Sequence, residues 1–198
     1  MSQLITNTTP LRNFEDREDI VQAVAVFPDR RRMITGSNDK ILRIWDLETG
    51  VVLKKMEGHS SEVSALAATS LAWTPDGTRL LSGGDNIDPT IREWDSSTWQ
   101  QIGRPWKGHP YCINAIAIDP TGSLVASASL DGHVRLWRLS DRRNIGIFQH
   151  SSYSSSVYTV TFSVDGAHIL SGGHDKKISE WEIPKSVHTK AGFHSPLS

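Results

Sequence analysis

Polar side chains of the kinds that build hydrolytic active sites recur along this chain of 198 residues. At four places an aspartate stands six residues before a tryptophan, and a serine or threonine stands ten or twelve residues before the same tryptophan. Beside a histidine, such a pair has the composition of a nucleophilic triad, in which the imidazole takes the proton of the hydroxyl group. A catalytic triad is needed only once, so a set that recurs at a fixed period favours a structural role. The pairs are Thr35 with Asp39, Ser82 with Asp88, Ser127 with Asp131, and Ser171 with Asp175.

The tryptophans that end these sets mark a repeating unit. They are Trp45, Trp94, Trp137 and Trp181, and successive members lie 49, 43 and 44 residues apart. Each is followed by a charged residue, either acidic or basic. A fixed period of this size indicates one supersecondary unit in four copies, and no copy can bury its apolar faces alone. The repeat therefore determines the fold that we expect.

The third copy indicates what one unit contains. Four segments with the pattern of short strands follow one another, separated by turn sequences such as Asp119-Pro120-Thr121-Gly122 and Asp131-Gly132. Four short antiparallel strands per unit are typical of one blade of a β-propeller. The expected fold class is therefore all-β, with four such blades in the chain. The four segments are residues 113–118, 124–129, 133–137 and 145–148.

Two Gly-His pairs complete the pattern of a known family. Gly58-His59 and Gly108-His109 lie at the ends of fourth strands, and each leads into the next copy. Together with the four tryptophans, this pattern resembles the WD40 repeat family over residues 10 to 182. Residues 94–99 and 106–109 are also similar to WD40 proteins that are abundant in basidiomycete fungi. The resemblance implies a WD40-type β-propeller with four blades in one chain.

The resemblance also implies a role for the recurring polar residues. In each blade a histidine, a serine or threonine, an aspartate and the tryptophan indole N–H would form a buried hydrogen-bond network that joins the strands. In the first blade Arg17 stands where the histidine is expected, so we expect that blade to be the least tightly held. The expected sets are His59, Ser82, Asp88 and Trp94; His109, Ser127, Asp131 and Trp137; His150, Ser171, Asp175 and Trp181; and Thr35, Asp39 and Trp45 without a histidine.

The two chain ends predict how the blades are divided and closed. Residues 10–15 match a fourth strand, whereas no fourth strand follows Trp181, so the N-terminal strand is expected to complete the fourth blade. Two chains would then close an eight-bladed ring as a homodimer. We favour this arrangement over one chain closed on four blades, and over a shortened seven-bladed protein that stays open. The expected parts are an N-terminal extension (1–9), blades at about 18–57, 59–107, 109–149 and 150–182 with strand 10–15, and a loose tail (183–198).

Composition narrows the range of functions. The formal net charge is −1, so no strong positive field draws the chain to nucleic acid or anionic lipid. Cys112 is the one cysteine, which excludes an intramolecular disulfide and a zinc–thiolate cluster. The sequence has no apolar run of about 18 residues and no signal peptide at its start. We therefore expect no metal, no cofactor and no membrane contact, and a cytoplasmic location with the nucleus as the alternative.

The function that we expect is a non-catalytic scaffold that binds partner proteins through loops on the propeller rim. The sequence contains no phosphate-binding loop, zinc-protease motif or nucleophile elbow, which argues against an enzyme. One alternative is a truncated or duplicated fragment that acts only on association with itself or with another propeller. A second is an RNA-binding propeller that uses Arg30–Arg32 and Arg142–Arg143, although solvated charge is the ordinary interpretation of basic runs in turns. The candidate partner-binding residues are Asn38, Glu62, Tyr111, Leu130, Tyr153 and His174.

Overall fold

The described part of the chain folds into four antiparallel sheets and one short helix. The computed structural model describes residues 12–15, 20–37, 39, 41–57, 70–150 and 156–188. In every sheet, strands that are consecutive in the sequence are paired neighbours, as in the blades of a propeller. The expected all-β fold with four blades is confirmed.

The strands follow the repeat. The first blade contains β1 (Val21–Val26), β2 (Arg32–Ser37), β3 (Ile41–Asp46) and β4 (Val52–Glu57). The second contains β5 (Ser70–Trp73), β6 (Arg79–Gly83) and β7 (Ile91–Asp95). The third contains β8 (Ile113–Ile118), β9 (Leu124–Ser129), β10 (His133–Arg138) and β11 (Arg143–Gln149). The fourth contains β12 (Val157–Phe162), β13 (His168–Gly173) and β14 (Ile178–Glu182), and helix α1 (Lys185–His188) follows it.

The apolar core lies at the junctions between blades. The inner strands β1, β5, β8 and β12 contact one another in that order. Because each interior blade is apolar on both broad faces, each face needs a neighbour, and no single blade is a stable unit. The clusters centre on Ile34, Leu42 and Trp94 between blades one and two, on Leu81, Ile113 and Trp137 between blades two and three, and on Ala126, Val157 and Ile169 between blades three and four.

The turns between the first two strands of each blade also connect neighbouring blades. Gly77 has a φ of +68°, a left-handed conformation that glycine adopts without steric cost. A Cβ atom at Gly77 would lie 3.0 Å from Cγ of Pro28 in the preceding blade, so a glycine also allows the close approach. The same contact recurs at the next two junctions, between Gly122 and Pro75 and between Gly166 and Pro120.

The second blade lacks a continuous fourth strand, although the repeat predicts four strands per blade. After β7 the chain returns and pairs only twice, at Trp94 with Gln101 and at Ile91 with Trp106. Between these pairs Gly103 takes a left-handed φ of +68°, and Pro105 has no N–H to donate. These two residues therefore interrupt the ladder that the other fourth strands form.

Residues 12–15 belong to none of the four sheets and lie against the first blade. Nη1 of Arg12 donates a hydrogen bond of 3.0 Å to the carbonyl oxygen of Leu47. The ring of Phe14 packs edge-on against Trp45, with 5.8 Å between ring centroids. Residues 10 and 11 lie outside the described residues. Completion of the fourth blade by an N-terminal strand therefore stays a prediction.

The segment after β14 is packed at its start. The N–H of Ile183 donates a hydrogen bond of 2.9 Å to the carbonyl oxygen of Ala167, and the Ile183 side chain is buried. Val187 on α1 packs against the same apolar cluster. The expectation of a loose tail from residue 183 is wrong for residues 183–187, because two apolar side chains there cover the core of the last blade. Residues 189–198 lie outside the described residues.

Candidate functional site

The third blade contains the complete hydrogen-bonded set that the repeat predicts. Nδ1 of His109 lies 2.7 Å from Oδ2 of Asp131, and Nε2 lies 2.8 Å from Oγ of Ser127. Nε1 of Trp137 donates a hydrogen bond of 2.8 Å to the same Oγ. Because a carboxylate only accepts, Nδ1 carries the imidazole proton, and Nε2 accepts the hydroxyl proton of Ser127. Four side chains from four segments of the blade are thus joined in one chain of hydrogen bonds.

The protonation states in this set suit a structural network. Burial lowers the pKa of His109, so the imidazole is neutral, and the nearby Asp131 only partly offsets this effect. Burial by itself would raise the pKa of Asp131, but hydrogen bonds from His109 and from the backbone N–H of His133 hold that pKa below its ordinary value. Ser127 is fully buried and both of its hydrogen bonds are internal. A hydroxyl closed to substrate in this way cannot serve as a nucleophile.

The fourth blade repeats the arrangement. Nδ1 of His150 lies 3.1 Å from Oδ2 of Asp175, and Nε2 lies 2.7 Å from Oγ of Ser171. Nε1 of Trp181 donates to that Oγ at 2.9 Å. His150 and Ser171 are buried, whereas Trp181 is partly exposed because no fourth strand covers this side of β14 within the described residues.

Arginines hold the hairpin aspartates of the first two blades, which the sequence analysis missed. Nη1 of Arg43 donates a hydrogen bond of 3.0 Å to Asp39, and Nη2 of Arg92 donates one of 2.6 Å to Asp88. Both arginines follow their aspartate by four residues, and this Asp-x-x-x-Arg spacing is the signal that could have identified them. Burial would raise the pKa of Asp39, but hydrogen bonds from Arg43, from Ser37 and from the backbone lower it to about 2.

The tryptophan bonds of these two blades follow the expected pattern. Nε1 of Trp45 donates a hydrogen bond of 2.9 Å to Oγ1 of Thr35, and Nε1 of Trp94 donates one of 2.9 Å to Oγ of Ser82. His59 and Arg17 lie outside the described residues, so their expected places in the two sets stay predictions.

A buried carboxylate joins the second and third blades. Glu93 is almost fully buried and accepts hydrogen bonds from Nη1 of Arg79 at 2.6 Å and from Nε of Arg142 at 2.9 Å. The interpretation of Arg142 as a solvated turn charge is therefore wrong. Its left-handed turn, with a φ of 59°, directs the guanidinium back across the junction to the preceding blade. Glu93 was missed because a charged residue inside a strand pattern gives no sign of a partner on another blade.

Three loops come together at the end of the blades where the hairpins between the second and third strands lie. The N–H of Leu130 donates a hydrogen bond of 3.0 Å to the carbonyl oxygen of Cys112, and Oγ of Ser129 donates one of 3.0 Å to that of Tyr111. The N–H of Cys112 in turn donates one of 2.9 Å to Oδ1 of Asn86. The loop that enters the third blade is therefore fixed to the hairpins of both the second and the third blade.

These loops carry exposed apolar side chains. Tyr111 and Leu130, both predicted to bind a partner, are exposed, and so is Ile87 beside Asn86. We call Ile87, Tyr111 and Leu130 the rim patch. Ile87 was not singled out from the sequence, although an isoleucine in the extended hairpin 85–88 is a signal that could have indicated it.

Of the other four candidate partner-binding residues, the structure describes only one. His174 is exposed on the hairpin of the fourth blade, where its N–H donates a hydrogen bond of 2.8 Å to the carbonyl oxygen of Ser156. Asn38, Glu62 and Tyr153 lie outside the described residues. The structure thus brings together two of the six predicted rim residues, and adds a third that was not predicted.

Two other kinds of site are absent from the described part of the chain. No group of three or more histidine, cysteine, aspartate or glutamate side chains there is arranged to hold a metal ion. None of its helices is long and apolar enough to cross a membrane.

The repeat pattern and the hydrogen-bonded sets define a class of protein. The family model described as WD domain, G-beta repeat matches residues 8–46, 50–95, 99–138 and 143–182. These four matches cover most of the chain, so this protein belongs to the WD40 repeat family.

Relatives with this repeat differ widely in name. The chain is 29% identical over 191 residues to nuclear distribution protein nudF of Aspergillus niger, covering 95% of this chain and 42% of that protein. It is 31% identical over 173 residues to transducin beta-like protein 3 of Rattus norvegicus, covering 85% of this chain and 20% of that protein. It is 27% identical over 164 residues to protein groucho of Drosophila melanogaster, covering 82% of this chain and 20% of that protein. The chain therefore spans less than half the length of these relatives.

Proposed function

We propose that this chain is a non-catalytic protein-interaction scaffold whose rim patch receives a partner protein. The observation that carries the proposal is the fixed arrangement of three loops that expose Ile87, Tyr111 and Leu130. Apolar and aromatic side chains held on a rigid frame lose little conformational freedom on binding, and such residues are frequent anchors of protein interfaces.

The hydrogen-bonded sets inside the blades favour a scaffold over a catalyst. The hydroxyl, imidazole and carboxylate groups that resemble catalytic machinery are internal to the third and fourth blades. The relatives also have names as different as nuclear distribution protein and pre-mRNA-processing factor, which favours a shared binding frame over a shared reaction.

Surface substitutions on the rim test this role. A variant with Ile87→Ser, Tyr111→Ser and Leu130→Ser removes the apolar patch without changing a buried residue. The matched control is Ile147→Thr, an equally exposed position on β11. Proximity labelling followed by mass spectrometry is expected to detect a set of proteins that the rim variant loses and the control keeps. Identical sets for both variants would overturn the proposal.

We further propose that the scaffold is a homodimer whose two chains close one eight-bladed ring. Four blades per chain with exposed valines on β1 and an exposed isoleucine on β14 support this arrangement. Light scattering coupled to size exclusion is expected to give a mass near twice the 22.0 kDa of the chain. A monomer across the concentration range would overturn the dimer and would leave the rim proposal standing.

A further inference from the structure

We propose that the turn between β10 and β11 binds an oxyanion, namely the phosphate or carboxylate group of a ligand. The N–H groups of Ser140 and Asp141 and the hydroxyl of Ser140 donate to the anion, and the guanidinium of Arg138 balances its charge. The site is separate from the rim patch, because Leu130 lies in the hairpin before β10, whereas this turn follows the other end of that strand.

The first three blades make the same turn after their third strand. The residue five positions after the repeat tryptophan has a left-handed φ in each blade, and its N–H donates to the carbonyl oxygen of the residue that follows the tryptophan. The φ angles are 75° at Gly50, 61° at Trp99 and 59° at Arg142, and the three hydrogen bonds measure 2.9, 2.8 and 2.8 Å. The three turns can therefore be compared residue by residue.

In the first two blades an aspartate accepts the hydrogen bonds of this turn. Oδ1 of Asp95 accepts from the N–H of Ser97 at 3.0 Å, from its hydroxyl at 2.6 Å, and from the N–H of Thr98 at 2.7 Å. Asp46 accepts from the N–H groups of the same two turn positions, at 2.9 and 2.7 Å. Hydrogen bonds from Ser97 and Thr98 lower the pKa of Asp95. The turn therefore stabilises a negative charge at this place.

The third blade has the donors of this turn without the acceptor. Arg138 stands at the position of Asp95, and Ser140 at the position of Ser97. Within the described part of the chain, no acceptor lies in hydrogen-bond range of the N–H groups of Ser140 and Asp141 or of the Ser140 hydroxyl. Three donors thus surround a place that a carboxylate occupies in the second blade.

The carboxylate of Asp141 does not replace the missing acceptor. Its Oδ1 accepts a hydrogen bond of 3.2 Å from the N–H of Arg143, as Oγ1 of Thr98 accepts one of 3.3 Å from Gln100 at the same turn position. Its Oδ2 accepts one of 3.1 Å from Nη1 of Arg138 and lies 3.8 Å from Nε of Arg143. Two guanidinium groups therefore share one carboxylate, which leaves one positive charge in excess at the turn.

A cavity of about 430 Å³ opens beside the turn, between the second and third blades. Arg138 and Ser140 line it from the third blade, and Arg79 lines it from the second. This volume lies in the range of cavities that hold small ligands, and it exceeds what a lone ion needs. The cavity can therefore receive a residue or small molecule that carries the oxyanion.

The charges that line the cavity favour a negative group. Two arginines face one acidic residue, Asp76, among its described lining residues. The carboxylate of Asp76 already accepts hydrogen bonds from Thr74 and Thr78. Arg79 donates from Nη1 to Glu93, and its side chain is 41% exposed, so its other guanidinium donors are not used by that pair. Guanidinium groups bind carboxylate and phosphate through charge-assisted hydrogen bonds, which is the chemistry that the site offers.

Amide NMR shifts test the site at its own donors. The isotope-labelled chain is titrated with inorganic phosphate, and in a second arm with acetate, at an ionic strength held constant with chloride. The amide signals of Ser140 and Asp141 are expected to shift and to saturate, with a dissociation constant of about 1–10 mM. The amides of Ser97 and Thr98, in the turn that has its own aspartate, are the internal control and are expected not to respond. The arm that binds more tightly identifies the group.

A double substitution rebuilds the occupied turn in the third blade. Arg138→Asp with Asp141→Thr gives this turn the aspartate and the threonine of the second blade, so the new carboxylate takes the place of the anion. Because the same turn already forms in two other blades, the urea midpoint is not expected to fall. Phosphate binding is expected to weaken by more than about tenfold. Arg104→Ala, which removes an exposed arginine of the second blade, is the matched control and is expected to keep the binding.

Each outcome bears on the site. Saturating shifts that the double variant loses and the control keeps support it. Equal responses of the turns in the second and third blades would overturn it, and so would phosphate binding that survives in the double variant. Arg138→Gln removes only the charge and is expected to weaken binding about three- to fivefold, so an unchanged affinity would overturn the role of Arg138. The rim patch is tested by other variants, and the failure of either site leaves the other standing.

Discussion

Glu93 and Arg142 form an ion pair across the junction of the second and third blades, with Oε2 of Glu93 accepting a hydrogen bond of 2.9 Å from Nε of Arg142. The carboxylate is buried, and its second oxygen accepts from Arg79. A buried charge is tolerated when its hydrogen bonds are satisfied, so this pair selects one alignment of the two blades.

The substitution Glu93→Gln is expected to lower the free energy of unfolding by about 2 kcal/mol, because two charge-assisted hydrogen bonds are weakened at a buried site. Urea unfolding followed by tryptophan fluorescence measures the change. Glu48→Gln, at an exposed turn, is the control and is expected to change stability by less than about 0.5 kcal/mol. Equal effects of the two substitutions would show that the inter-blade pair contributes no stability.

The hydroxyl of Ser127 is expected to be important for stability. Ser127→Ala leaves the indole N–H of Trp137 and Nε2 of His109 without their common partner in a fully buried place. The expected loss is about 1–3 kcal/mol in the free energy of unfolding. Ser140→Ala, an exposed serine in the same blade, is the control in the same urea titration. A loss no larger than that of the control would argue against the stapling role.

The neutral state of His109 makes stability depend on pH. Its pKa in the folded chain lies below the ordinary 6.5 because of burial, so the unfolded chain binds more protons as the pH falls below about 6.5. The contribution of the neutral imidazole is therefore complete above pH 6.5 and is lost as the pH falls toward the lowered value. The urea midpoint of the wild type is expected to decrease from pH 7 to pH 5, and His109→Gln is expected to decrease less. Parallel pH profiles would contradict this assignment.

The exposed face of the first blade is expected to control association. Val24→Asp places a carboxylate on the apolar face of the first blade that would meet the second chain. Because the proposed dimer is two-fold symmetric, this carboxylate lies at both contacts between the chains. We expect the dissociation constant of the dimer to rise more than about 100-fold, with the stability of the single chain little changed. Leu53→Asp, on β4 with almost the same exposure, is the control. Sedimentation equilibrium measures both, and an unchanged dimer in Val24→Asp would contradict the proposed face.

The repeat and most strand positions could be predicted because they rest on local patterns. The segment 113–118 alternates along the chain, and the Asp131-Gly132 hairpin is set by its own backbone preferences. The serine ten residues before Trp137 could be assigned because the network recurs at each copy. Departures from the pattern were harder to predict, as Gly103 and Pro105 interrupt a fourth strand that the repeat implies.

Contacts between different copies of the repeat could not be predicted in the same way. The bond between Asn86 and Cys112 joins a hairpin insertion to a loop 26 residues away, and its existence depends on how two blades pack. The same holds for Ile87, which becomes part of a patch only because three loops meet. Arg43 and Arg92 have a local signal in the Asp-x-x-x-Arg spacing, but that spacing alone does not show that the arginine side chain turns back to the aspartate.

The sequence by itself determined the repeat, the all-β blades, the turn positions and the hydroxyl–tryptophan pair of each hydrogen-bonded set, because these depend on neighbours within one copy of about 44 residues. Tertiary structure alone decided that Glu93 is held by Arg142, that Ile87 joins Tyr111 and Leu130 on the rim, and that Val24 and Ile178 are left exposed at the two ends. Apolar faces of identical pattern are buried or exposed according to whether another blade lies next to them. Whether such a face is buried depends on the blade next to it, and the sequence of one copy of the repeat does not specify that neighbour.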